Sequence, residues 1–149
     1  QDQFSVLETM LVHDSANRKF MPTLHPVPDG WFSSNFGYRI DPFTGQQSMH
    51  EGIDFPAPTG TPILAAASGK VINAEWHGEW GRMVDIDHGN GLVSRYAHAS
   101  SINVHEGDLV VRGQRIGQVG TTGRSTGPHL HFEVRLNGAP QNPARFLQH

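Results

Sequence analysis

The chain contains no cysteine. That absence removes disulfides and thiolate metal sites, so any bound metal must be held by histidine, aspartate or glutamate. No apolar run approaches the ~20 residues that a membrane-spanning helix needs. Basic residues are few: 11 Lys and Arg against 14 Asp and Glu leave a formal charge of −3, with no basic stripe to bind nucleic acid. Lack of cysteine fits a cell-envelope protein that avoids mispairing, and fits many cytosolic proteins equally. Because Gln1 stands first, the sequence is expected to be a processed or trimmed piece, with no signal peptide left to read.

What is plentiful is turn-forming residues, 17 glycines and 10 prolines among 149 positions. That length suits one domain with a real core. Valine, isoleucine and aromatics recur in short runs between the turns, which predicts mainly β structure. Phe4, Leu7, Met10 and Leu11 lie at helical spacing and predict a short N-terminal helix. Pro22, Pro26, Pro28 and Asp29-Gly30 then interrupt the chain, so residues 1–29 read as an extension and 30–149 as the main domain. Within that domain, Lys70–Trp76, Met83–Asp87, Leu92–His98 and Leu130–Arg135 are predicted strands. Asn90-Gly91 and Asn137-Gly138 are the expected turns, because Asn and Gly tolerate φ > 0.

The chemistry concentrates in His50, Asp54, His98, His129 and His131. Three imidazoles and a carboxylate are ordinary ingredients of a zinc hydrolase site, here with a histidine to spare. His129 and His131 are two apart in a predicted strand, so both point to one face about 6.6 Å apart while Leu130, Phe132 and Val134 pack the other. Either could bind metal on spacing alone. His50 and Asp54 would lie roughly 13 Å apart in a straight strand, too far to share an ion, so a bend is required and Gly52 is the residue to supply it. His98 closes its predicted strand with Ser94 and Tyr96 on its face, and suits a general base. Glu51 and Glu133 read as supporting or solvent-facing carboxylates. His13, His25, His77, His88, His105 and His149 have no partners at suggestive spacing and read as surface or loop residues.

Together the segments Ser34-Asn35-Phe36-Gly37-Tyr38-Arg39, His50-Glu51-Gly52-Ile53-Asp54, Tyr96-Ala97-His98 and Gly120–Glu133, ending Gly127-Pro128-His129-Leu130-His131-Phe132-Glu133, resemble the M23 zinc metallopeptidases, the lysostaphin- and LytM-like peptidoglycan endopeptidases. The resemblance runs from about Trp31 to Leu147. It implies an antiparallel β domain with a groove, one Zn²⁺ held by His50, Asp54 and His131, and His98 and His129 as the catalytic pair. It further implies peptidoglycan peptide cross-links as substrate and an extracytoplasmic location, and leaves the scissile bond and oligomeric state open. The Arg124-Ser125-Thr126-Gly127 loop is expected at the cleft wall, in contact with substrate. Some relatives have lost their ligands and activate cell-wall amidases instead; all five polar positions are intact here, which argues against that role. A phosphotransfer domain would gain nothing from Asp54 beside its histidines. The N-terminal stretch could cover the groove or only dock.

Overall fold

Alternation along His129–Leu136 sets the fold: Leu130, Phe132, Val134 and Leu136 are buried in the core, and the residues between them face away from it. The computed structural model describes residues 19–28, 32–33, 36–40 and 43–147. The helix expected around Phe4–Leu11 lies outside them, as do His13, Ser34, Asn35 and His149.

Among the described residues there are eleven strands: β1 Gly37–Ile40, β2 Gln47–His50, β3 Ile53–Pro56, β4 Pro62–Leu64, β5 Gly69–Trp76, β6 Arg82–Gly89, β7 Leu92–Ile102, β8 Leu109–Val110, β9 Arg115–Val119, β10 His129–Leu136 and β11 Ala139–Gln141. The mainly β, antiparallel expectation is borne out. β1 and β2 form a separate hairpin, and the main sheet runs β11-β10-β7-β6-β5-β8. One edge of β10 is shared between β3, opposite His129–Phe132, and β11, opposite Val134–Leu136. Beyond Ala97, the place of β10 beside β7 passes to β9. Asn90-Gly91 and Asn137-Gly138 have φ values of 56°, 80°, 51° and 85°, so both expected turns form with left-handed central residues. No helix among the described residues is long and apolar enough to cross a membrane.

Residues 19–28 lie against the domain. Met21 and Val27 enter the core, and Leu64 N–H donates to the Pro26 carbonyl at 2.8 Å and Ser68 N–H to the Lys19 carbonyl at 2.7 Å.

His88 lies elsewhere than its sequence spacing suggested. His88 is buried, not a surface residue. Its Nδ1 lies 2.6 Å from the Ser68 carbonyl and its Nε2 2.7 Å from Ser94 Oγ. Ser94 Oγ is 2.8 Å from Tyr96 Oη, which accepts from Ala66 N–H at 2.8 Å. A carbonyl only accepts, so Nδ1 carries the proton and Nε2 accepts from the Ser94 hydroxyl. The Ser94 oxygen then accepts from Tyr96, and one directed chain of hydrogen bonds joins Ala66 to Ser68 through the core.

Burial holds the His88 pKa below the ordinary histidine value, more than the Ser68 hydrogen bond and the nearby Asp87 raise it. The unfolded chain therefore takes up the extra proton first as pH falls. Stability present above pH ~6.5 is lost below it. Denaturant unfolding of wild type and His88→Gln from pH 7.5 to 5 should show their difference narrowing, by at most about 1.4 kcal/mol per pH unit. A difference independent of pH would contradict the account.

Candidate metal centre

The β3–β10 pairing places Asp54 directly opposite His131, and Ile53 opposite Phe132. Directly paired residues share a face of the sheet. Ile53, Phe55, Leu130 and Phe132 therefore bury into the core, while Asp54 and His131 turn to the groove. His131 Nδ1 lies 2.9 Å from Asp54 Oδ1.

His50 arrives from the other side, at the end of β2. The chain bends at Gly52, as the spacing requires, and His50 Nε2 comes to 3.3 Å from Asp54 Oδ2. Conformational freedom is not the reason for glycine here, since its φ lies outside the left-handed range. The reason is close approach: a Cβ would collide with the Phe132 carbonyl oxygen and stand 2.9 Å from Glu133 Cγ and 3.0 Å from His131 Cε1.

His50, Asp54 and His131 are all buried, and each offers a ligand atom, the three atoms lying within 4.8 Å of one another. Donors held at ~2.0–2.2 Å around a tetrahedral ion stand about 3.3–3.6 Å apart, so three atoms within 4.8 Å of one another need only draw together to hold one. The electrostatics agree. Burial opposes charge on Asp54, yet hydrogen bonds from His131 and His50 hold its pKa well below the usual carboxylate range. Burial likewise opposes charge on His131, but Asp54 and Glu133 raise it to about 9. A cavity that keeps an imidazolium charged at that pH favours a cation. Two imidazoles and a carboxylate converging there fit a divalent metal.

His98 and His129 stand beside this trio, their ring centroids 4.9 Å apart, with His98 6.0 Å from His131. His98 Nδ1 donates to the Thr122 carbonyl at 2.7 Å and His129 Nδ1 to the Gly127 carbonyl at 2.8 Å. In its neutral form each ring therefore carries its proton on Nδ1 and presents Nε2 as an acceptor. His129 Nε2 is 3.7 Å from Asp54 Oδ1. Burial pushes the His98 pKa down to about 4, keeping that ring neutral.

His98 does not close its strand, because β7 continues to Ile102, and it does not share a face with Ser94 and Tyr96. Its φ is +66°, rare for a residue with a side chain. The register against β6 shifts here, Tyr96 facing Val84 but Ala99 facing Arg82. An extra residue is thus accommodated as a bulge, which re-aims the His98 ring into the groove.

The groove encloses about 720 Å³. Ile40, Phe43 and Met49 of the β1–β2 hairpin line it, as do Arg124–Pro128, the loop that the sequence expected at the cleft wall. The Arg124 guanidinium sits 4.4 Å from the Phe43 ring centroid and 3.3 Å from Glu79, joining the loop to the hairpin. Of the other histidines, His77 and His105 are exposed and His25 is half-buried against Phe55. Trp80, which lines the groove from a 3-10 turn at Gly78–Trp80, was not found from sequence, having no periodic signal and lying far from the other motifs.

Residues 48–143 match the model of peptidase family M23. The chain belongs to that family. Among M23 relatives it is 50% identical over 120 residues to the DD-carboxypeptidase/endopeptidase Mpg of Neisseria meningitidis, covering 80% of this chain and 28% of that protein. It is 45% identical over 131 residues to the peptidoglycan DD-endopeptidase ShyA of Vibrio cholerae, covering 87% and 30%. A zinc-containing peptidase from Vibrio cholerae, solved by crystallography, superposes with a TM-score of 0.75 at 40% identity, covering 81% of this chain and 38% of that one. The chain thus spans under a third of the length of both curated relatives.

Gly52→Ala tests the packing of this M23 centre. Overpacking against the Phe132 carbonyl should cost about 1–3 kcal/mol of unfolding free energy in denaturant titration. Unchanged stability would show that the contact can relax.

Proposed function

We propose that the chain is a zinc-dependent endopeptidase that hydrolyses peptide bonds in peptidoglycan cross-links. One observation carries this reading: three buried side chains with donor atoms suited to a metal converge beside two imidazoles whose Nε2 atoms are both left as acceptors. His50, Asp54 and His131 would hold one zinc ion. When bound, such an ion supplies Lewis-acid polarisation of the scissile carbonyl and acidifies a water.

The chain's own residues do the rest. Thr122 and Gly127 carbonyls fix the tautomer and orientation of His98 and His129. One Nε2 accepts the proton of the attacking water as its oxygen bonds to the peptide carbon. The imidazolium so formed gives that proton to the departing amine as the C–N bond breaks, while the other Nε2 accepts a hydrogen bond from the same water and orients it. A low His98 pKa keeps that ring in the proton-accepting form across neutral pH. The open groove between the hairpin and the Arg124–Pro128 loop suits an extended peptide.

Two named relatives supply the substrate class, one a DD-carboxypeptidase/endopeptidase and the other a peptidoglycan DD-endopeptidase, and a zinc-containing structural neighbour supports the metal. A cross-link substrate places the protein outside the cytoplasm. The peptidase unit is taken as residues 30–149, with 1–29 an extension of which residues 19–28 pack along it.

Digestion of purified peptidoglycan of defined cross-link type, read by product masses, tests the proposal. His98→Ala and His129→Ala should each retain zinc while cleavage falls by about 10²–10⁴-fold. His131→Ala should lose both zinc and cleavage. Undiminished cleavage by His131→Ala would refute the assignment.

A further inference from the structure

Next to His131, and two residues further along the same strand face, is a carboxylate that the proposed reaction does not use. Glu133 is only 1% exposed. Its Oε2 lies 2.7 Å from His131 Nε2 and accepts from Trp80 Nε1–H at 3.0 Å. Its Oε1 accepts from Arg135 Nε–H at 2.7 Å and lies 3.8 Å from Arg95 Nη1. Arg135 in turn donates to Glu51 at 2.8 Å.

The arrangement continues across the sheet in register. Glu133 faces Arg95 on β7, Arg95 faces Asp85 on β6, and Asp85 faces Asn73 on β5. Arg95 grips Asp85 with two hydrogen bonds of 2.9 and 3.1 Å, and Asn73 Nδ2 donates to Asp85 at 2.9 Å. The Arg95 guanidinium lies 4.9 Å from the Trp80 ring centroid, so Trp80 holds both Glu133 and its counter-ion. A row of Glu133, Arg95 and Asp85, alternating in charge and closed by the neutral Asn73 amide, thus runs over four strands and ends at a ring of the metal centre.

Stability alone does not account for it. A buried ion pair costs about as much in desolvation as it returns, and apolar side chains of similar volume commonly serve the fold as well. What the row does supply is a fixed orientation. With Nε2 held by Glu133, the other nitrogen of His131 is the one that faces Asp54. A histidine that ligates a metal needs its far N–H anchored, which sets both the tautomer and the ring angle.

Resting on the metallopeptidase reading above, we propose that Glu133 is a positioning residue for the metal centre: it holds the His131 ring through Nε2, so that Nδ1 is the atom presented to the ion, and Trp80 with the Arg95–Asp85–Asn73 row fixes Glu133.

Two measurements on the zinc-loaded full chain decide this without reference to activity. Long-range ¹H–¹⁵N spectra of the histidine side chains should show His131 protonated at Nε2; protonation at Nδ1 would overturn the proposal. Competition with a chromophoric chelator should show zinc bound about 10–100-fold more weakly by Glu133→Gln. Unaltered affinity in a folded Glu133→Gln protein would also overturn it. If that variant melts too early to titrate, Trp80→Phe decides, since it keeps a ring over Arg95 and removes only the donor to Glu133. A several-fold loss of affinity then supports the role, and none contradicts it. Failure of the wild-type chain to bind zinc would instead defeat the metallopeptidase reading.

Discussion

Everything at the site depends on the register between β3 and β10. Four apolar side chains, Ile53, Phe55, Leu130 and Phe132, alternate with Asp54, His129 and His131 on these two strands. Burying each apolar side chain is worth about 1.5–3 kcal/mol, so together they oppose a slip strongly. A shift of one residue would turn every side chain to the opposite face, putting Phe55 in water and Asp54 in the core. The groove face is therefore not specified separately from the core. It is the other side of the same alternation, and the fold cannot form correctly without aiming these groups into the groove.

Such a centre creates a charge problem, which the sheet resolves. Asp54 and Glu133 are ionised and largely buried, and each such group is costly unless paired. Arg95, Arg135 and Trp80 meet Glu133, while His50 and His131 meet Asp54. A raised His131 pKa, about 9, is the signature of that surplus negative potential. A divalent ion would satisfy the same potential more fully, so metal binding and folding stability should be linked.

Much of this was legible in the sequence, and the parts that were not share a cause. The shared face of His129 and His131, the two Asn-Gly turns and the β character follow from period-two alternation and local turn chemistry. The bend between His50 and Asp54 was demanded by chain length, but its reason at Gly52 was not visible, since the backbone it must clear lies 80 residues away at Phe132. His98 was placed on the wrong face because a bulge breaks the alternation from which faces are read. His88 was read as a surface or loop residue and is instead buried, hydrogen-bonded to Ser68 and Ser94. Trp80 reaches Glu133 only through folding. Sequence spacing left several histidines as equal candidates for a metal. Family resemblance singled out His50, Asp54 and His131, the trio that the β2–β3 bend and the β3–β10 register bring together.

The central claim is that this trio, and not His98 or His129, binds the ion. Anomalous diffraction at the zinc edge from zinc-loaded crystals of the wild-type chain tests it directly. The account predicts one strong peak at about 2.0–2.2 Å from nitrogen atoms of His50 and His131 and from an Asp54 oxygen, with His98 and His129 outside the coordination sphere. A peak bonded to His98 or His129 in place of His50 or His131 would contradict it.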